Sequence, residues 1–214
     1  VARGADPTPL SVILAKPDGR RSLVNYRGDT RPLPPDVIDP TIFQPRVILF
    51  DGLEPEASLS AARWARAQGV PTVLDAGSVH RGTTALVDQV DFVVASAKFG
   101  LEFSGAPDAE TAVSYLARMA GTAVVTLGEH GLVWQTGAAM GKLPAFKVTA
   151  VDTTGAGDAF HGAFAYGLAA GFAWPALLRY ASAAAALCCT TIGARVGLPS
   201  ATAVAEFLAA STNP

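Results

Sequence analysis

Between residues 47 and 127 the sequence sets four short apolar runs, VILF, PTVLD, DFVVA and TAVVTL, apart by stretches with helical periodicity. Strands buried on both faces read as continuous apolar runs, and the helices between them carry the chain back across the sheet. Few architectures accept this pattern. It predicts βαβ units: an α/β fold with a mostly parallel sheet flanked by helices. VILF covers 47–50, and a helix runs from Pro55 through Gln68 to a stop at Gly69. PTVLD covers 71–75 and DFVVA 91–95, followed by a short helix to about Ser104. Asp108 caps a helix to Ala120, and TAVVTL covers 122–127. GLVWQT and FKVTA read as two more strands, paired with each other. Helices over 156–170, 174–190 and 200–210 complete the chain.

Upstream, SVILA (11–15) and SLVNY (22–26) flank KPDGRR, whose Pro-Asp-Gly signals a hairpin turn. The connector RPLPPDVIDP lacks amide donors for regular structure and marks a boundary. Residues 1–33 are thus a small β unit and 34–214 the α/β core. They also carry Arg3, Lys16, Arg20, Arg21, Arg27 and Arg31 against Asp6, Asp18 and Asp29, a solvated edge or a lure for an anion. With 214 residues, half of them hydrophobic, the chain can bury a core without disulfide or structural metal.

The formal charge of −2 gives no field for nucleic acid or an anionic membrane. No apolar run approaches the ~20 residues of a bilayer span, and the start does not resemble a signal peptide. Cys188 and Cys189 are adjacent, a poor geometry for a structural disulfide. That fits a reducing compartment and predicts a cytoplasmic protein.

The chemistry concentrates in VDTTGAGDAFHGAFAYG, residues 151–167. Phe160, Ala163, Phe164, Gly167 and Leu168 form one buried helical stripe. Asp158 lies about 200° around from Phe160, in the first turn and off that stripe. A helix start offers unpaired amides and a positive dipole end, and glycines let an anion approach them. Asp158 could equally just complement the dipole. A dinucleotide fingerprint would need glycine where Phe160 stands, and the Gly-Lys-Ser/Thr of a P-loop is absent.

DTTGAGDAFHGAFA resembles the C-terminal signature of the PfkB, or ribokinase-like, carbohydrate kinases. The resemblance implies a ribokinase-like fold with a small β lid, of which residues 1–33 would be the remnant. It implies that Gly155, Ala156 and Gly157 form an anion hole for the transferring phosphate and that Asp158 takes the proton of the substrate hydroxyl. VVTLGEHGLVW is similar to the family's nucleotide-phosphate segment, with Thr126, Gly128 and Gly131 matching and Glu129 and His130 as exposed turn residues. YASAAAALCCTTIGARVGLP resembles the helix and loop beside the adenine. Asp152, Thr154, Thr191 and Gly193 would be the contacts of a monovalent cation such as K⁺. Cys188 and Cys189 read as buried small hydrophobes.

One landmark departs from the pattern. Where the family often carries Asn-x-x-Glu, which organises Mg²⁺ and phosphate, this sequence has Ser96-Ala97-Lys98-Phe99. Ser96 could bond a phosphate or water, Phe99 cannot replace glutamate, and Glu102 reads as solvated. The departure resembles the ketohexokinase-like and sulfosugar-kinase-like branches and points to a ketose. VLDAGSVHRG places Asp75 and Gly77 at a strand's carboxyl end, where ligands of parallel sheets bind. His80 and Arg81 read as an exposed loop pair or as neighbours of substrate. His161 either faces the sugar or is satisfied in the wall. The resemblance implies a further N-terminal part, holding most of the lid and the sugar grip, that this sequence would lack. The resemblance implies ATP and Mg²⁺ as cofactors, a small sugar as partner and a homodimer paired through the lids. It leaves open a nucleoside acceptor, or nucleotide binding without catalysis.

Overall fold

The computed structural model describes residues 7–15, 21–26, 28 and 30–211. Strands β1 (Leu10–Ala15) and β2 (Arg21–Tyr26) pair antiparallel as a separate two-stranded sheet. The KPDG turn between them lies outside the described residues, as do Arg3, Lys16, Arg20 and Arg27. The connector forms no strand, only a single 3-10 turn at Pro40–Ile42. It is anchored to the core where the Leu33 amide donates to Glu54 Oε2 at 2.7 Å.

The core then alternates. It runs β3 (Ile48–Phe50), α1 (Pro55–Gln68), β4 (Thr72–Ala76), α2 (Arg81–Leu86), β5 (Phe92–Ser96), α3 (Ala97–Ser104), α4 (Ala109–Ala120) and β6 (Thr122–Thr126). Local chemistry sets these bounds. Pro55 opens α1 at its first position, and Gly69, in the left-handed region at φ 66°, closes it. Asp108 accepts from the Thr111 amide at 2.8 Å and starts α4. The chain continues through β7 (Leu132–Thr136), β8 (Ala139–Leu143), α5 (Ala156–Ala169), α6 (Trp174–Cys188), α7 (Ala194–Gly197) and α8 (Ala201–Ala210).

The six core strands lie in sequential order, β3 to β6 parallel and β7 and β8 antiparallel. Alternation along each strand divides the interior. Leu74, Val93, Ala95, Ala123 and Val125 face a layer built with Ala62 of α1, Phe99 of α3 and Leu116 of α4. Their neighbours Val73, Val94 and Val124 face Phe160 and Phe164 of α5 and Leu177 and Ala181 of α6. Phe164 is fully buried, edge-on to Phe92 at 5.9 Å and to Trp174 at 6.0 Å. A side chain of that size buried from water contributes about 1.5–3 kcal/mol, so α5 is firmly seated on the sheet.

One sequence expectation fails. FKVTA is not a strand, and the partner of β7 is instead AMGKL, residues 139–143. Trp134 sits opposite Gly141 and lays its indole where a Cβ would be, 2.6 Å from that position. This cross-strand packing holds a glycine-containing strand that propensity disfavours. Pro144 then removes a ladder donor, and Phe146 turns into a pocket with Ala183, Ala184 and Val204. The short helices α2 and α7 are also absent from the sequence reading.

Candidate functional site

The site begins with the chain's approach to α5. Asp152 is buried, its Oδ1 accepting from the Thr154 amide at 2.9 Å and its Oδ2 from the Gly193 amide at 2.9 Å. The Val151 and Asp152 amides donate to the Cys189 carbonyl at 2.9 and 3.2 Å. A buried carboxylate needs such donors, and here they bind the turn before α5 to the loop after α6.

Gly155 follows at φ 82°, and a Cβ on it would stand 2.6 Å from the Ala194 Cβ. Both backbone and space therefore require glycine at this point. The Ala156 amide donates to the Thr153 carbonyl at 3.3 Å. Among the described residues, no protein acceptor takes the amides of Gly155, Gly157 or Asp158. Gly157 differs from Gly155 in its surroundings: a Cβ there would meet nothing within 4 Å. Packing does not explain this glycine, which costs a helix about 1 kcal/mol relative to alanine. The open space beside it leaves room for an external group. Free first-turn amides at the positive end of a helix suit an anion.

Asp158 is exposed in that same turn. Together with Asp75, at the end of β4, and His161 it lines a cavity of about 610 Å³ whose other walls are mostly apolar, from β3, α1 and the connector. Burial lifts the Asp75 carboxyl above its ordinary value. His161 pulls it the other way, and the charges of Asp158 and Asp51 add to the lift.

Ser96 and Thr126 are register neighbours at the carboxyl ends of β5 and β6. Gly128 opens the exposed turn that follows, and the Gly131 amide donates to the Gly128 carbonyl at 3.1 Å. A Cβ on Gly131 would strike the Leu143 carbonyl, whereas one on Gly128 meets nothing. None of these four residues lines the cavity that holds Asp158.

The family model for pfkB family carbohydrate kinase matches residues 1–201. The chain belongs to that family. It is similar to the ribokinase of Lactococcus lactis subsp. lactis, 30% identical over 154 residues, 72% of this chain and 50% of that protein. Two solved structures share the fold. Arabidopsis thaliana ribokinase complexed with ribose and ATP has a TM-score of 0.83 at 25% identity, covering 97% of this chain and 71% of that one. The adenosine kinase of Sinorhizobium meliloti has a TM-score of 0.81 at 28% identity, covering 97% and 68%. The chain spans about half the length of the curated relatives it matches. The ribokinase-like α/β fold is therefore established.

Within this pfkB-family frame the remaining candidates sort by what they touch. Thr154, Asp152 and Gly193 converge, and Thr154 Oγ1 is buried without a partner. An orphaned hydroxyl oxygen there fits a small monovalent cation. Thr191 is exposed on the neighbouring loop. Cys188 is buried, its thiol pushed up by burial, with Sγ 3.8 Å from the Thr154 carbonyl. Ser96 caps α3 by accepting from the Phe99 amide at 3.0 Å, and its hydroxyl donates to the Gly77 carbonyl at 2.9 Å. To donate to a phosphate it would have to release Gly77. Phe99 is core, stacked on Phe103 at 5.2 Å. Among the described residues no group of three His, Cys, Asp or Glu side chains could hold a metal.

Glu102, Glu129 and His130 are exposed. His80 caps α2, its Nδ1 accepting from the Gly82 amide at 3.3 Å, and Arg81 pairs with Glu56. Both are thereby given local structural work. His161 is buried with each ring nitrogen against a backbone carbonyl, a placement its position in the sequence left open. Among the described residues no helix is long and apolar enough to cross a membrane.

Proposed function

We propose that this chain serves ATP-dependent phosphoryl transfer to a sugar hydroxyl, the acceptor being a ketohexose or a related sugar. The observation that carries the reading is the pairing of free Gly155 and Gly157 amides with the exposed Asp158 at the mouth of a cavity. In this reading the sugar lies in that cavity and its hydroxyl attacks the γ-phosphorus. Asp158 accepts the hydroxyl proton, the bond to the β,γ-bridging oxygen breaks, and ADP leaves. Charge on the migrating group falls on the amides of Gly155 and Gly157, and on that of Ala156 once it releases the Thr153 carbonyl it now donates to. Positioning and charge neutralisation are what this reaction asks of a protein.

Thr126, Gly128 and Gly131, with Ser96 beside them, flank the nucleotide phosphates. Bound Mg²⁺ would neutralise phosphate charge, held by the nucleotide and water, since Phe99 fills the glutamate position with core. A monovalent cation at Thr154, Asp152, Thr191 and Gly193 would brace the loop that carries Gly155. Residues 1–33 are taken as belonging to a β lid and 34–214 as the nucleotide-binding core. The exposed Leu10, Val12, Leu23 and Val24 of the hairpin offer a surface for pairing two lids. A cytoplasmic setting belongs to the same proposal, supported by the adjacency of Cys188 and Cys189, a poor geometry for a structural disulfide.

A nucleoside acceptor is the second reading, favoured by the likeness to an adenosine kinase. ADP release measured over ketoses, aldoses and nucleosides, alongside thermal shifts with ATP and Mg²⁺, separates the cases. The expected outcome is turnover on a sugar, with nucleotide stabilisation near 2.7 kcal/mol at about 100 times Kd. Turnover on nucleosides alone selects the second reading. Stabilisation by ATP without turnover on any acceptor means a nucleotide-binding protein and overturns the proposal.

A further inference from the structure

His161 occupies an unusual position for a titratable side chain: one turn into α5, 4% exposed, directly behind the anion-binding turn. Its Nδ1 lies 2.6 Å from the Gly157 carbonyl oxygen and its Nε2 lies 3.0 Å from the Val94 carbonyl oxygen. Nδ1 is also 3.3 Å from Asp75 Oδ2. A backbone carbonyl can only accept. In a neutral imidazole one nitrogen carries a lone pair, and either tautomer would turn it onto a carbonyl lone pair in a buried setting. Moving the proton to Asp75 does not help, because Nδ1 would then face the Gly157 oxygen unprotonated. Only a ring with hydrogen on both nitrogens satisfies every contact.

We infer that His161 is a positively charged positioning residue, its imidazolium clamping the first turn of α5 to the end of β4 and the middle of β5. The three contacts belong to three elements: Gly157 of α5, Val94 of β5 and Asp75 of β4. Gly157 is itself one of the residues whose amide is open to an anion, so the clamp fixes the peptide on its other side. It also sets a positive charge in the wall of the cavity that Asp158 and Asp75 share. A buried charge with both donors bonded and a carboxylate beside it is an arrangement in which loss of one partner is costly.

The functional half of this inference rests on the kinase reading; the protonation half does not. The first test is spectroscopic, on the full chain labelled with ¹⁵N-histidine. The chain has three histidines, so variants His80→Asn and His130→Gln assign the His161 signal by subtraction. At neutral pH both His161 ring nitrogens should carry hydrogen. A signal with one protonated and one bare nitrogen overturns the inference, whether or not the protein turns over any substrate.

The second test is kinetic. His161→Gln should lower kcat by roughly 10–10²-fold, the scale of an ångström-sized misplacement, with KM for ATP and sugar little changed. Adding Asp75→Asn to that variant should cost little more, because the two residues act as one unit. A variant that melts lower yet keeps the wild-type kcat would make His161 purely structural and sink the positioning role. Should His161→Gln fail to fold, Asp75→Asn alone serves, with a lowered kcat expected and an unchanged one contradicting the clamp. Wild-type chain inactive on every acceptor removes the kinase reading and leaves the spectrum to decide this one.

Discussion

Asp158→Asn should lower phosphoryl transfer by about 10²–10⁴-fold while leaving ATP affinity within about twofold, as a positioned general base demands. The substitution is close to isosteric and the side chain is exposed, so α5 and its seat on the sheet stay as they are. The competing role for an acidic residue at a helix start is to complement the dipole, worth about 0.3–1 kcal/mol at an exposed site. That effect would show in the melting temperature and hardly at all in turnover. Magnitude therefore separates the two. Nucleotide titration together with single-turnover transfer measures both quantities. A variant that turns over normally would leave Asp158 as a dipole partner only.

Gly157→Ala should split stability from activity. Nothing lies within 4 Å of the new Cβ, and alanine is the better helix former, so the fold should hold or gain up to about 1 kcal/mol. Turnover should nevertheless fall by about 10²–10³-fold, the cost of one lost oxyanion donor, because the methyl group stands where the migrating phosphoryl must approach. Gly155 cannot serve the same purpose. Its φ of 82° and the 2.6 Å approach to Ala194 mean that alanine there disturbs the fold itself. Chemical denaturation run beside kinetics makes the comparison. Unchanged turnover in Gly157→Ala would detach the anion site from this turn.

The parts of this molecule legible in sequence are those fixed by local signals. The inner parallel strands β4, β5 and β6 announce themselves because burial on both faces demands unbroken apolar runs such as FVVA. Asp108 and Gly69 mark helix ends because capping acts over three or four residues. The GAGD turn reads as a candidate anion site for the same reason, its residues being contiguous. The misses are long-range. AMGKL is a strand through its ladder with β7, where Trp134, seven positions away across the hairpin, covers Gly141. FKVTA has strand propensity, yet Phe146 is drawn to Val204 of α8 instead.

The site shows the same division. Asp158 and its glycines are contiguous, so a motif reveals them. His161 acquires its setting from Val94 and Asp75, 67 and 86 positions earlier in the chain, and no local pattern signals that. In sequence Ser96 reads as a candidate phosphate ligand; in the fold its hydroxyl donates to the Gly77 carbonyl, a contact made when β4 and β5 pair. Phe99 could be discounted at once as a replacement for glutamate, but its place in the core with Phe103 emerges only from packing.

The most direct test is a structure of the chain with ADP, an aluminium fluoride mimic of the phosphoryl group and an acceptor sugar. The account predicts the fluoride group within about 2.7–3.1 Å of the Gly155 and Gly157 amide nitrogens, with the Asp158 carboxylate on the sugar hydroxyl. A mimic seated elsewhere in the cleft, with those amides turned to protein or water, would contradict it.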